Sequence, residues 1–252
     1  MTDRWIVTPR FFEEPEPALV SVCPPDVAIN DLEIEFRTPP ELALIHGGIA
    51  NFVTDTLAEG DRPISVSGDC CCALPVLAGL QRAGVEPDLV WMDAHGDFNT
   101  PETSPSQFLG GMPLAMIVGR GPQWMCAGIG LRPISEEQVL LVDARDLDPE
   151  ERTALEGSRV THITLPEIAE IAFDGPVLLH LDVDVINAEE CGAFRYPVAG
   201  GPSAFDVAAA VADLERRADV AAISISGWTG ALDRDGSTAR AVAHILESIG
   251  GR

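Results

Sequence analysis

The feature that most constrains this chain is an apolar run, Pro87-Asp-Leu-Val-Trp-Met92, that passes without a break into Asp93-Ala-His-Gly-Asp-Phe-Asn99. Such a run has two faces to bury, so it reads as a strand inside a covered sheet. Asp93, His95 and Asp97 alternate, and on a continuing strand a period of two would put all three on one face. A second run, Gly175-Pro-Val-Leu-Leu179, leads into His180-Leu-Asp182-Val-Asp184. Carboxylates with an imidazole at strand ends make a site for a hard-to-borderline divalent cation. Four aspartates exceed what one cation needs, so two metals sharing bridging carboxylates are expected. By strand alternation His180 is assigned to the face opposite Asp182, as a core histidine.

The rest of the chain alternates in the same way. Short strands are expected at Trp5–Thr8, Leu19–Val22, Ile64–Ser67, Met125–Leu131, Val139–Val142, Val160–Ile163, Val177–Leu181 and Val220–Ser226. Helices are expected at Glu41–Leu57, Ala73–Ala83, Met112–Val118, Leu165–Ile171 and Gly236–Ile249, and from a Ser203 cap through Ala218. Strand–helix alternation means a mostly parallel sheet with helices on both faces, with ligand chemistry at the carboxyl ends of the strands. We read one α/β domain over 1–252. The polar stretch from Thr100 to Gly111 carries no pattern of its own, and loops of that length inside a domain are usually functional.

Charge narrows the function classes. Forty acidic residues face 16 basic ones, a net of −24, and that field repels nucleic acid and anionic membranes. All the basic residues are arginine, which excludes a Schiff-base lysine and a Walker-type phosphate loop within the chain. No apolar run approaches a membrane span. Cys70-Cys71-Cys72 are too close together for an ordinary disulfide framework, so a reducing cytoplasm is expected.

Three stretches together resemble the arginase (ureohydrolase) superfamily: Ser67-Gly-Asp-Cys70, Asp93 to Asn99, and Asp182-Val-Asp184. The match runs from about Arg62 through Gly201 in continuous order. The resemblance implies a three-layer α/β/α fold around a binuclear manganese centre, two Mn2+ in all. One metal would be held by Cys70, Asp93, Asp97 and Asp182, the other by His95, Asp93, Asp182 and Asp184, with Asp93 and Asp182 bridging. A hydroxide between the metals would attack the guanidinium carbon, with Asp97 carrying its proton. Asn99, Ser104 and Ser106 resemble the family loop that grips an α-carboxylate. Asp148 and Glu151 resemble the acids that receive the α-amino group. A small amino-acid substrate follows, and homo-oligomers occur in the family.

Three positions depart from the family pattern. The corner histidine is Cys70, a soft ligand for a hard ion such as manganese. The histidine of a His-Gly-Met-Pro stretch is Gly110. The glutamate that pairs with the guanidinium falls at Gly227, beside Trp228. These changes point to a less basic substrate, Nω-hydroxy-L-arginine, cleaved to hydroxyurea and L-ornithine. The cysteine-for-histidine change resembles the family branch that does this in D-cycloserine biosynthesis. The alternatives are another ureohydrolase (acting on arginine, agmatine or a guanidino acid) or a non-catalytic relative that binds an amino acid or senses thiol oxidation.

Overall fold

The computed structural model describes residues 1–32 and 39–249. Its strands are β1 (Asp3–Thr8), β2 (Arg10–Phe11), β3 (Glu14–Pro15), β4 (Ala28–Ile29), β5 (Arg62–Ser67), β6 (Asp88–His95), β7 (Val139–Asp146), β8 (Thr161–Ile163), β9 (Pro176–Asp182) and β10 (Asp219–Ser226). Its α-helices are α1 (Pro39–Ala58), α2 (Ala73–Arg82), α3 (Pro113–Ile117), α4 (Trp124–Ile129), α5 (Pro149–Glu156), α6 (Ala204–Arg217) and α7 (Ser237–Ser248). Eight strands form one sheet in the order β4-β1-β5-β10-β9-β6-β7-β8, with every pairing parallel. The strands that carry the motifs, β5, β10, β9 and β6, are adjacent at its centre.

Two apolar layers cover the sheet. Leu89, Trp91 and Leu178 face one side with α1, α2, α3 and α4; Val90, Met92, Leu179 and Leu181 face the other with α6 and α7. The expected α/β/α sandwich is therefore present. The period of two explains why these strands read as continuous apolar runs, since both faces are dry. Ser203 caps α6, accepting from the Asp206 amide at 3.1 Å.

Two expected strands are helical. Leu19–Val22 lies in a 3-10 turn from Pro17 to Val22, where proline at the first position favours a helical start. Met125–Leu131 is α4, closed by Gly130 in a left-handed conformation. A short apolar run does not reveal its period, and here packing against α1 and α2 decides the outcome.

Candidate metal centre

β6 ends at His95, one residue pair short of the continuing strand expected from the alternation. Against β7 the register slips between Asp93 and His95, and the bulge places Asp143 and Ala144 at positive φ. Asp97 lies past the strand with φ +49°, so a left-handed turn, not strand alternation, brings it back to the cluster. Such a backbone is uncommon for a non-glycine residue and marks a constrained site.

The aspartates nevertheless converge. His95 Nδ1 lies 3.3 Å from Asp93 Oδ1 and 3.1 Å from Asp184 Oδ2. Asp93 Oδ2 turns the other way, accepting from Trp91 Nε1 at 3.2 Å and lying 3.9 Å from Cys70 Sγ. One carboxylate thus presents an oxygen to each side of the cluster. Cys70 Sγ lies 2.7 Å from Asp182 Oδ2 and 3.2 Å from Ser226 Oγ. Backbone amides fix the remaining orientations: Asp184 N donates to Asp182 Oδ1 at 2.9 Å, and Ala94 N to Asp184 Oδ1 at 3.3 Å.

Electrostatics give the reason to expect cations here. Burial, then Asp184, lifts Asp182 to about 7. Burial, then Asp93, lifts Asp184 to about 6. Burial followed by the Asp93 charge raises Asp97 well above the carboxylate range. Burial opposes charge on His95, yet Asp184 and Asp93 hold its pKa up to about 12. Burial and the Asp182 charge push the Cys70 thiol up as well. Like charges packed this closely repel unless cations stand between them. Asp97 Oδ2 is buried with no partner, and an orphaned acceptor of that kind costs about 1–3 kcal/mol. These donors therefore fit divalent cations. Ligand atoms lying within 4.8 Å of one another form two groups among the described residues: Asp93, His95 and Asp184, and Cys70, Asp93 and His180.

The second group corrects the reading of His180. Residues two apart share a face, so His180 stands with Asp182, not opposite it. It is fully buried, its ring tilted against Trp91 with centroids 3.7 Å apart, and its Nδ1 lies 3.2 Å from Ser224 Oγ. Burial alone lowers its pKa to about 3, which keeps the imidazole neutral.

Around the cluster opens a cleft of about 520 Å³ lined by all the expected substrate residues, Asn99, Ser104, Ser106, Asp148, Glu151 and Gly227. Their roles differ from a free set of donors. Asp148 and Glu151 are the reciprocal capping box of α5. Glu151 accepts from Phe98 N at 2.9 Å and Asp148 N at 3.2 Å, while Asn99 Nδ2 donates to Asp148 Oδ2 at 3.1 Å. Burial lifts Glu151 to about 7. Ser104 and Ser106 accept from the Gln107 and Phe108 amides, at 3.0 and 3.2 Å, which shapes the loop.

Gly227 has φ +95°, and a Cβ there would overlap Asp182 Oδ1 and fall 2.7 Å from its Cγ. No side chain can stand at this position while Asp182 keeps its place. Trp228 does not fill the cleft; it is 4% exposed and belongs to the core beneath. At Gly110 the Phe108 ring occupies the space a side chain would need. Phe108 stacks near Phe11 (6.2 Å) and lies tilted against Tyr196 (5.3 Å), giving the mouth an aromatic rim. Arg195 joins that rim, 3.9 Å over Phe11 and 2.5 Å from Glu14. These rim residues carried no signal in sequence, because chain segments far apart assemble them.

The arginase family model matches residues 23–251. The chain belongs to the arginase family. An arginase of Brevibacillus brevis is 31% identical over 222 residues, covering 81% of this chain and 73% of that one. The Nω-hydroxy-L-arginine amidinohydrolase of Streptomyces lavendulae is 34% identical over 140 residues, 53% of this chain and 49% of its own. Among solved structures, Bacillus subtilis arginase superposes with a TM-score of 0.85 at 25% identity, covering 100% of this chain and 99% of that one. The match to the family model thus extends beyond the three motifs towards both ends of the chain.

Proposed function

We propose that this arginase-family chain hydrolyses the guanidino group of Nω-hydroxy-L-arginine, giving hydroxyurea and L-ornithine. The observation that carries this reading is Gly227 packed against Asp182, which bars any carboxylate from the position where the family pattern has its guanidinium partner. A fully charged guanidinium would enter without that partner, whereas the less basic N-hydroxyguanidine gives up its proton at much smaller cost and can enter neutral. The Phe108 ring over Gly110 supports the same reading, since it sets an apolar surface where the pattern has a histidine. The relative from Streptomyces lavendulae, named for this substrate, adds weight.

Two divalent cations, one of them Mn2+ on Asp93, His95 and Asp184, would supply Lewis acidity and lower the pKa of the attacking water. The chain supplies the rest. Asp97 Oδ2, buried and without a partner, takes one proton of the water as its oxygen bonds to the guanidino carbon. It then gives a proton to the δ-nitrogen as the bond from carbon to that nitrogen breaks, releasing ornithine as the amine. Asn99, Ser104 and Ser106 hold the α-carboxylate. The Asp148 carboxylate, underpinned by Glu151, receives the α-amino group. Thiol sensing is disfavoured because Cys70, Cys71 and Cys72 are all buried, with pKa values pushed up by burial.

The test is a substrate panel on metal-loaded protein, with ornithine, urea and hydroxyurea measured separately. Nω-Hydroxy-L-arginine should exceed L-arginine in kcat/KM by about 100-fold or more, roughly 2.7 kcal/mol in transition-state free energy. Equal efficiency would return the chain to the arginine-cleaving relatives. Full metal content with no turnover of any guanidino compound would make it a binding protein.

A further inference from the structure

We propose that His180 is a metal ligand, completing with Cys70 and Asp93 a sulfur–nitrogen–oxygen site that selects a borderline cation such as Zn2+ or Co2+ over Mn2+. The family pattern cited above places a histidine at the corner now held by Cys70. The structure puts an imidazole back at the same centre from a different strand.

Strand register carries this assignment. On β9, His180 pairs with Trp91 of β6 on one side and Ser224 of β10 on the other. The next position on the same face of β9 and β10 is the pair Asp182 and Ser226. His180 therefore stands one pleat beneath the carboxylate cluster, facing the same way. The Trp91 ring lies against the imidazole at 3.7 Å, and its Nε1 donates to Asp93 Oδ2, so one side chain orients two members of the site. Ser224 Oγ, 3.2 Å from Nδ1, occupies that nitrogen and leaves Nε2 as the donor to a cation. Histidine ligands are commonly fixed in this way, through a hydrogen bond on the other ring nitrogen.

Nε2 is the second, independent observation. It is wholly buried and has no hydrogen-bond partner in the structure. An ordinary core histidine would be satisfied at both nitrogens. The Cys70 sulfur, an Asp93 oxygen and a His180 nitrogen lie within 4.8 Å of one another. Donors on a four-coordinate zinc, with bonds of about 2.0–2.3 Å, stand about 3.3–3.8 Å apart. A contraction of at most about 1 Å closes the set, and Asp182 Oδ2, 2.7 Å from the same sulfur, offers a fourth donor once that pair opens by about 0.8 Å. Thiolate and imidazole favour zinc and cobalt, and manganese stands last among first-row divalent ions for such donors.

The experiment uses the full chain stripped by chelation and titrated with Co2+ and Zn2+ against a competing chelator, with visible and near-ultraviolet absorption recorded. Wild-type protein should show a thiolate-to-cobalt charge-transfer band with the intense visible bands of four-coordinate cobalt. His180→Phe should weaken Zn2+ and Co2+ binding by at least about tenfold and alter the visible bands, while Mn2+ still binds at the His95 group. Cys70→Ser should abolish the charge-transfer band. His180→Asn keeps a polar group near Ser224 and gives the same readout should the phenylalanine variant fail to fold. Unchanged affinity and spectrum in the folded His180 variants would overturn the proposal, as would the absence of the charge-transfer band in wild type. No substrate enters these measurements, so their failure is separable from failure of the hydroxyarginine reading.

Discussion

Replacing Gly227 by alanine tests whether one glycine holds the metal centre in shape. The new Cβ would overlap Asp182 Oδ1 and lie 2.7 Å from its Cγ, against an ordinary carbon–carbon contact of about 3.5–4.0 Å. The Asp182 carboxylate must therefore retreat by about 1 Å, and with it go its contacts to Cys70, Ser226 and the Asp184 amide. The φ of +95° adds backbone strain of about 1–3 kcal/mol for any L side chain. A shift of about 1 Å in a reacting centre costs about 100-fold in rate. We expect Gly227→Ala to lower kcat by about that factor and to lose metal on dialysis, with the melting temperature of the metal-free protein down by several degrees. Metal content by plasma emission, thermal melts and single-turnover kinetics provide the readouts. Full metal content with wild-type turnover would refute the packing argument. The same overlap means Gly227→Glu cannot install a guanidinium partner; it should remove activity towards arginine and hydroxyarginine alike.

Two further outcomes follow from buried charge. In the metal-free protein Asp182 and Asp184 titrate at about 7 and about 6, above their unfolded value. The native state then binds more protons than the unfolded one, so stability falls as pH rises from about 4 to about 7; His95, held up to about 12, pulls the same way above its unfolded pKa. Denaturant melts should show that decline without metal and a flat or rising profile with it, and identical profiles would refute the cation argument. Far from the cleft, Arg62 is 1% exposed and pairs with Asp3 at 2.6 Å and with buried Glu215. Arg62→Met leaves Glu215 without its guanidinium and should cost about 3–5 kcal/mol in urea unfolding. A loss below about 1 kcal/mol would show the network to be solvated.

Local chemistry determined much of this protein. Apolar runs ending in aspartates specify central parallel strands with polar carboxyl ends, because only a sheet covered on both faces buries such runs. Hence Asp93, His95, Asp182 and Asp184 could be placed from spacing alone, and the cap at Ser203 from its neighbours. Tertiary structure decided what depends on distant segments. Asp97 reaches the cluster through a left-handed turn that spacing does not encode. The role of Glu151 as a helix cap depends on where α5 begins, and the blocked space at Gly110 and Gly227 depends on Phe108 and Asp182 lying against them. His180 joins Cys70 and Asp93 only because parallel pairing sets β9 between β6 and β10. Period-two alternation tells which residues of one strand share a face; which residues of three strands meet is a matter of register, set by the packing of the whole sheet.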